Sequence, residues 1–146
     1  MLDAATAFEL QDLVARFANS FDLKEWDRLA ECLTANVHTD YSDLRGTPPE
    51  TMSREEFVGQ RRSALHDLQT HHLAGNLEMA LSGDTTSLKV SMMIHRRNDA
   101  GETLTTHCLY FFGVEQEQGV WRIGSIRQKV LMSYGESAIH KGIAKR

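Results

Sequence analysis

Cysteine is scarce in this sequence of 146 residues, which holds only Cys32 and Cys108. The two thiols fit no metal-binding spacing, and so few cysteines without a recognisable secretory signal are typical of a reducing compartment. The sequence also lacks an apolar run of the roughly 20 residues that a membrane-spanning helix needs. We therefore expect a cytoplasmic protein with no membrane partner and with both thiols buried.

The sequence also has no excess of basic over acidic residues. The formal net charge is −4 at pH 7, and the basic residues are scattered, with Arg61-Arg62 and Arg96-Arg97 as the densest pairs. Domains that bind nucleic acids usually carry a basic face, so we expect no nucleic-acid partner. A solvated surface accounts for both arginine pairs.

Several motifs of catalysis and cofactor binding are missing. The sequence has no GxSxG nucleophile elbow and no glycine-rich phosphate loop, which argues against a serine nucleophile and against nucleotide cofactors. It also has no HExxH motif. A metal site built from Asp22 and the strand histidines is therefore a less favoured alternative, and we expect no metal and no cofactor.

The first half of the chain carries helical patterns. Thr6 and Glu9 have the spacing of a capping box, and apolar residues then recur at steps of three and four up to Phe21. Ser53 and Glu56 form a second capping box. The predicted elements are a helix up to residue 21, a helix at 24–33, a strand at 37–41, a loop at 42–52 and a helix at 53–68.

The second half changes to strand patterns separated by turn signals. Helices followed by a meander of long strands are typical of an α+β fold in which the helices pack on one face of the sheet. We expect one domain over residues 1–146, with a curved, mostly antiparallel sheet wrapped around the N-terminal helices as a cone with an apolar pocket. The predicted strands are 71–82, 85–98, 102–116 and 120–134, and residues 136–146 form a loosely ordered tail.

Asp22 lies between two predicted helices and is surrounded by the apolar residues Phe17, Phe21 and Trp26. An unpaired ionised group among apolar side chains is costly. Asp22 is therefore either a solvated cap or an inward-facing partner of a histidine from elsewhere in the chain. The local pattern leaves both possibilities open.

Histidine is the side chain best suited to proton transfer near neutral pH. A strand histidine is often only a structural residue, and both His72 and His95 fall on the more polar side of their strands, which suits a polar cavity and plain solvent equally well. A bulge would reverse either assignment. The seven histidines are His38, His66 and His140, expected at the solvated surface, and His71, His72, His95 and His107 on the strands.

Four segments in this order resemble the scytalone dehydratases and, more broadly, the SnoaL-like branch of the nuclear-transport-factor-2-like superfamily, which has the cystatin-like α+β cone fold. The segments are FDLKEWDRL at residues 21–29, TDY at 39–41, THH at 70–72 and GVWRI at 119–123, and the resemblance extends over about residues 5–136.

The resemblance implies a role for four residues. Asp22 matches the aspartate that orients the catalytic base, His72 matches that base, and His95 matches a second active-site histidine. Tyr41 matches a tyrosine that polarises the substrate carbonyl through a water molecule. The remaining candidates are expected to bind substrate: Phe17, Phe21 in place of a second family tyrosine, Trp26, Tyr110 in place of a family asparagine, and Arg127 by a weaker match.

The function implied is a cofactor-independent lyase, a dehydratase acting on a small hydrophobic hydroxy-carbonyl compound. An isomerase or cyclase with the same base is one alternative. A non-catalytic assembly subunit, like the small subunit of ring-hydroxylating dioxygenases, is another. We expect a homo-dimer or homo-trimer. The decisive distance joins Asp22 to His72, which must lie within about 2.6–3.2 Å for the pair to form.

Overall fold

Helices and strands follow the predicted order in the computed structural model, which describes residues 2–141. The helices are α1 (Ala4–Asp22), α2 (Trp26–Glu31), α3 (Ser42–Arg45) and α4 (Arg54–Leu65), and a 3-10 turn spans Ser137–Ile139. The strands are β1 (Leu33–Asp40), β2 (Glu50–Ser53), β3 (Gln69–Ser82), β4 (Thr85–Arg97), β5 (Thr103–Glu117) and β6 (Val120–Gly135).

The strands of the described chain form one curved, unclosed sheet in the order β2-β1-β6-β5-β4-β3. Strands β3 to β6 make the predicted antiparallel meander, and β1 joins it in parallel beside β6. The register shifts at several points, including between Gly75 and Glu78 on β3. Such bulges bend and twist long strands, and they let the sheet curl around the helices. The α+β prediction is confirmed.

The buried face of α1 attaches the helices to the sheet. Leu10, Leu13 and Phe17 are fully buried, and the Phe17 ring packs edge-to-face on Phe21 and Phe112 with both ring centroids 5.1 Å away. Burying an aromatic side chain of this size contributes about 2–3 kcal/mol. The apolar spacing of α1 therefore fixes which way its last residue, Asp22, faces.

Two local predictions need correction, and a third is confirmed. Helix α1 begins before Thr6, because Asp3 is its N-cap and its carboxylate accepts a hydrogen bond from the Thr6 amide at 2.7 Å. The predicted loop at 42–52 contains α3 and the start of β2, an edge strand that begins directly after Pro48 and Pro49. Proline cannot donate to a sheet, and an edge position tolerates it. The predicted cap at Ser53 is confirmed by its 3.1 Å hydrogen bond from the Glu56 amide.

The tail is ordered as far as the structure describes it. The 3-10 turn is followed by His140, which is 5% exposed, so the predicted loose tail and the predicted surface position of this histidine are both wrong. Residues 142–146 lie outside the described part. Within residues 2–141, no helix is both long and apolar enough to cross a membrane.

Candidate active site

Asp22 is the last residue of α1 and faces the start of β3. The chain turns sharply after it, because Lys24 adopts a left-handed conformation with φ of 54° and α2 begins at Trp26. The Lys24 ammonium donates a 2.9 Å hydrogen bond to the carbonyl of His66, which ties this turn to the end of α4. The junction therefore holds the Asp22 carboxylate beside the first residues of β3.

The Asp22 carboxylate accepts three hydrogen bonds from β3. The Thr70 hydroxyl donates at 3.0 Å, the His72 amide donates at 2.8 Å, and Nδ1 of the His72 ring lies 2.7 Å from Oδ1. Hydrogen bonds to a charged group are each worth about 1.5–3 kcal/mol. Asp22 is thus the inward-facing partner of a histidine and not a solvated cap.

This contact determines the tautomer of His72. A carboxylate can only accept hydrogen bonds, so Nδ1 carries the proton that His72 shares with Asp22, and Nε2 keeps its lone pair. The side chains of His72 and Asp22 are 6% and 14% exposed. Burial lowers the pKa of His72 below its usual value, although the hydrogen bond and the charge of Asp22 act in the opposite direction. The ring is therefore a neutral base at neutral pH.

The Phe21 ring stacks on the His72 ring, with centroids 4.9 Å apart and planes 25° apart. Because Phe21 is held by its edge-to-face contact with Phe17, the imidazole is fixed on one side by packing and on its Nδ1 edge by Asp22. A base that is oriented in this way needs little reorganisation before it accepts a proton.

His72 lines a small cavity between the helices and the inner face of the sheet. The cavity has about 30 Å³ of room for the centres of water-sized atoms, which is enough for about two water molecules. A larger ligand therefore requires movement of the lining side chains. The lining consists of Phe21, Tyr41, Leu44, Arg45, Arg61, Leu65, His72, Ile94, Arg96, Tyr110, Gln128 and His140.

Tyr41, which is expected to polarise a carbonyl, and Tyr110, which is expected to bind substrate, both line this cavity. Their rings meet edge-to-face with centroids 6.3 Å apart. The Tyr110 hydroxyl accepts a 3.2 Å hydrogen bond from the Gln128 amide, and burial raises the pKa of Tyr110 well above its usual value. Tyr110 is therefore a neutral hydroxyl at physiological pH.

His95 and Arg127 do not face the cavity. His95 pairs with His71 across the sheet and is exposed on the outer face, where its Nδ1 lies 2.7 Å from the Thr105 hydroxyl. Arg127 is also exposed, with its guanidinium 3.9 Å from the centroid of the Phe111 ring. Because neighbours along a strand point to opposite faces, Arg96 and Gln128 occupy the inward positions instead.

Phe17 and Trp26 support the site from outside the cavity. Phe17 is a core residue with no exposed surface, and Trp26 packs edge-to-face on Phe21 at 6.3 Å. Neither residue is part of the cavity lining, so the structure does not show their predicted contact with substrate. Both contact Phe21, the residue that stacks on His72.

Arginine is the component of the site that the sequence analysis missed. Arg61 and Arg96 are 4% and 2% exposed, so the surface interpretation of the two arginine pairs is wrong for one member of each. Arg45, from α3, joins them in the cavity lining. Burial lowers the pKa values of Arg45 and Arg96 to about 10 each, which leaves both charged at neutral pH.

His140 completes the lining from the far end of the chain. Burial, together with the charges of Arg96 and Arg45, lowers its pKa to about 3, so it is a neutral ring at neutral pH. Within residues 2–141, no three histidine, cysteine, aspartate or glutamate side chains are arranged to hold a metal ion.

Comparison with known sequences identifies the family. The family described as "SnoaL-like domain" matches residues 4–127. This chain belongs to the SnoaL-like domain family. Among curated relatives, a scytalone dehydratase-like protein of Passalora fulva is 40% identical over 55 residues, which cover 38% of this chain and 34% of that protein.

Two scytalone dehydratases match longer parts of this SnoaL-like domain. That of Pestalotiopsis fici is 30% identical over 88 residues, covering 58% of this chain and 46% of the relative. That of Colletotrichum orbiculare is 25% identical over 129 residues, covering 80% of this chain and 69% of the relative. The matches thus span between about a third and a half of the first two relatives.

Solved structures share the fold. The Kfla4162 protein from Kribbella flavida superimposes with a TM-score of 0.84 at 21% identity, covering 93% of this chain and 97% of that one. The hexachlorocyclohexane dehydrochlorinase LinA-type3 from Novosphingobium barchaimii LL02 gives 0.73 at 16% identity, covering 93% of both chains. The fold is the cone of the nuclear-transport-factor-2-like superfamily. At the level of the family, the comparisons support a lyase or isomerase type of role.

Proposed function

We propose that this protein is a cofactor-independent lyase, a dehydratase that removes water from a small hydroxy-carbonyl compound. The observation that carries the proposal is the 2.7 Å contact between Asp22 and Nδ1 of a buried, neutral His72 that lines a small cavity. The scytalone dehydratase relatives supply the reaction class.

In the proposed reaction, Nε2 of His72 takes a proton from the carbon next to the substrate carbonyl. The electrons of the broken C–H bond form an enolate, and the Asp22 carboxylate stabilises the imidazolium that results. Positioned acid–base catalysis of this kind is typically worth about 10²–10⁴-fold in rate.

The enolate then expels the hydroxyl group from the neighbouring carbon. The imidazolium Nε2–H returns its proton to the departing hydroxyl, so that water leaves, a C=C bond forms and His72 is again neutral. Tyr41 and the buried guanidinium groups are the candidates for stabilising the enolate oxygen, because fixed donors in a water-poor site favour developing negative charge. His95 has no part in this scheme, since it lies on the outer face of the sheet.

The position of His95 also supports a second candidate, an isomerase. The residue expected to serve as a separate acid is outside the cavity, and a single base suffices to move a proton from one carbon to another. Both reactions share the first step, and they differ in whether a leaving group departs.

The test separates the shared first step from the elimination. Exchange of the α-hydrogens of β-hydroxy ketones for deuterium in D₂O, followed by NMR, measures proton removal. The absorbance of the unsaturated ketone measures loss of water. We expect His72→Ala to lower both rates by about 10²-fold or more, and Asp22→Asn by about tenfold or more.

His95→Ala is the matched control, because it removes a strand histidine that does not reach the cavity. We expect it to keep the wild-type rates. Exchange without loss of water would favour the isomerase. Wild-type turnover in a folded His72→Ala protein would overturn the role of His72 and would point to another base. No turnover of any compound by the wild type would overturn the proposal in favour of a binding or assembly role.

A further inference from the structure

Three arginines from three different elements converge on the cavity that contains His72. Arg45 is the last residue of α3, Arg61 lies on α4, and Arg96 lies on the inner face of β4. The guanidinium carbons of Arg45 and Arg61 lie 4.8 Å and 4.6 Å from the centroid of the Tyr41 ring. Two of the three arginines therefore contact the ring of the tyrosine that is expected to contact a substrate carbonyl.

No carboxylate within residues 2–141 neutralises these charges, because the ion pairs there do not include Arg45, Arg61 or Arg96. Arg96 donates one hydrogen bond to the Thr106 hydroxyl at 3.1 Å. The Asp22 carboxylate, which contacts the cavity-lining His72, already accepts hydrogen bonds from Thr70 and His72.

Several polar atoms of the same lining have no hydrogen-bond partner within the described chain. They include Nε of Arg45 and one terminal nitrogen of Arg61, both of which are donors. An unsatisfied buried donor costs about 1–3 kcal/mol, and more when it is charged. Such groups in a folded protein are explained by a water, an ion or a ligand that satisfies them, or by a catalytic role.

We propose that the Arg45–Arg61–Arg96 cluster binds a carboxylate of the ligand, so that the compound handled at this site is a hydroxy-carbonyl acid and not a neutral ketone. The part of this inference that concerns the reaction rests on the proposed function, whereas the binding of a carboxylate does not. A guanidinium offers two parallel N–H donors that match the two oxygens of a carboxylate. The cavity also has room for a group of that size.

The cluster and the base line the same cavity. A carboxylate held by Arg61 and Arg96 would therefore fix one end of the ligand in the cavity that His72 lines, and the lining side chains would have to move to admit the rest of the ligand. The substrate that we expect is therefore not hydrophobic throughout: it has an apolar body and one anionic group.

The first test uses the wild-type protein alone and compares benzoate with benzamide, two probes of nearly equal shape that differ in charge. We expect benzoate to raise the melting temperature and to bind at least about tenfold more tightly than benzamide, because charge-assisted hydrogen bonds are about twice as strong as neutral ones. Equal binding of the two probes, or binding of neither, would overturn the inference.

The second test locates the binding site. Arg61→Met replaces an unpaired buried charge with an apolar side chain of similar length, a kind of change that is often neutral or stabilising. We expect the ligand-free variant to melt no lower than the wild type and to bind benzoate at least about tenfold more weakly. Arg127→Met, on the outer face, is the matched control and should bind benzoate as the wild type does. Equal weakening in both variants would contradict the cavity assignment.

The third test separates this inference from the proposed function. His72→Ala should retain the preference for benzoate, since the base does not hold the carboxylate. Among substrates, a β-hydroxy-keto acid should have a kcat/KM at least about tenfold above that of its methyl ester. Equal turnover of acid and ester would overturn the inference while supporting the lyase. Selective binding of benzoate without any turnover would support carboxylate binding and contradict the lyase.

Discussion

His140 should make the stability of this protein depend strongly on acid pH. The ring is 5% exposed, its Nδ1 has no hydrogen-bond partner in the described chain, and Arg96 and Arg45 lie among its charged neighbours. Protonation would place a further positive charge in a cavity that already holds three arginines. His140→Gln removes the titrating group and retains a polar side chain.

The magnitude follows from the two pKa values of His140. The folded value is about 3, and the unfolded value is about 6.5. Because the folded pKa is the lower one, the unfolded chain binds more protons, and the free energy of unfolding falls as the pH drops below about 6.5. The loss from His140 is about 2 kcal/mol between pH 7.5 and pH 5, and it reaches about 4 kcal/mol at pH 3.

Urea unfolding monitored by tryptophan fluorescence at a series of pH values measures this loss. We expect the wild type to lose about 2 kcal/mol more than His140→Gln between pH 7.5 and pH 5. His66→Gln, at an exposed histidine, is the control and should follow the wild type. Parallel pH curves for wild type and His140→Gln would refute the reasoning, because they would mean that the folded protein accommodates the charged ring.

Two further predictions concern the core and the outer face of the sheet. Phe17→Ala should lower the free energy of unfolding by about 3–5 kcal/mol in urea, because it opens a cavity between α1 and the sheet and releases the Phe21 ring that stacks on His72. We also propose a homo-dimer or homo-trimer formed through the outer face, where Leu73 and Met132 are 55% and 57% exposed. Light scattering should give a mass of two or three chains for the wild type and a smaller mass for Met132→Lys, whereas a wild-type monomer would contradict the assembly.

Most of the architecture was predictable because local patterns determine it. The apolar spacing of α1 and the turn signals between the long strands place these elements within a few residues of their observed bounds. The segment 42–52 was not predictable in this way. Strand β2 has four residues and exists through its pairing with β1, a tertiary contact without a local periodic signal. The element following Tyr41 is likewise a single turn of helix.

The pairing of Asp22 with His72 was predicted as a hypothesis, whereas the faces of the strand residues were only partly predictable. On β3, Asn76 adopts a left-handed conformation with φ of 48° where the register shifts. Before this bulge His72 points inward, and after it Leu77 and Met79 pack against the core. The inward-facing residues of β3 therefore have even numbers before the bulge and odd numbers after it. For this reason, counting alternate positions from the apolar residues cannot assign His72 to the cavity.

The burial of Arg61 and Arg96 could have been predicted from their positions in the apolar pattern, although each has a second arginine as its neighbour. Arg61 shares a helical face with Phe57 and Leu65, and Arg96 shares a strand face with Ile94, so each occupies an apolar position in a periodic pattern. Each of them stands next to a second arginine, in the pairs 61–62 and 96–97, and such pairs are typical of a solvated surface. On a strand, however, the side chains of two successive residues point to opposite faces, so one of the two has to point inward. A cation that periodicity places in the core has to be paired or to bind something. In this protein the described carboxylates do not pair with Arg61 or Arg96, and a ligand anion is the partner that we propose for both.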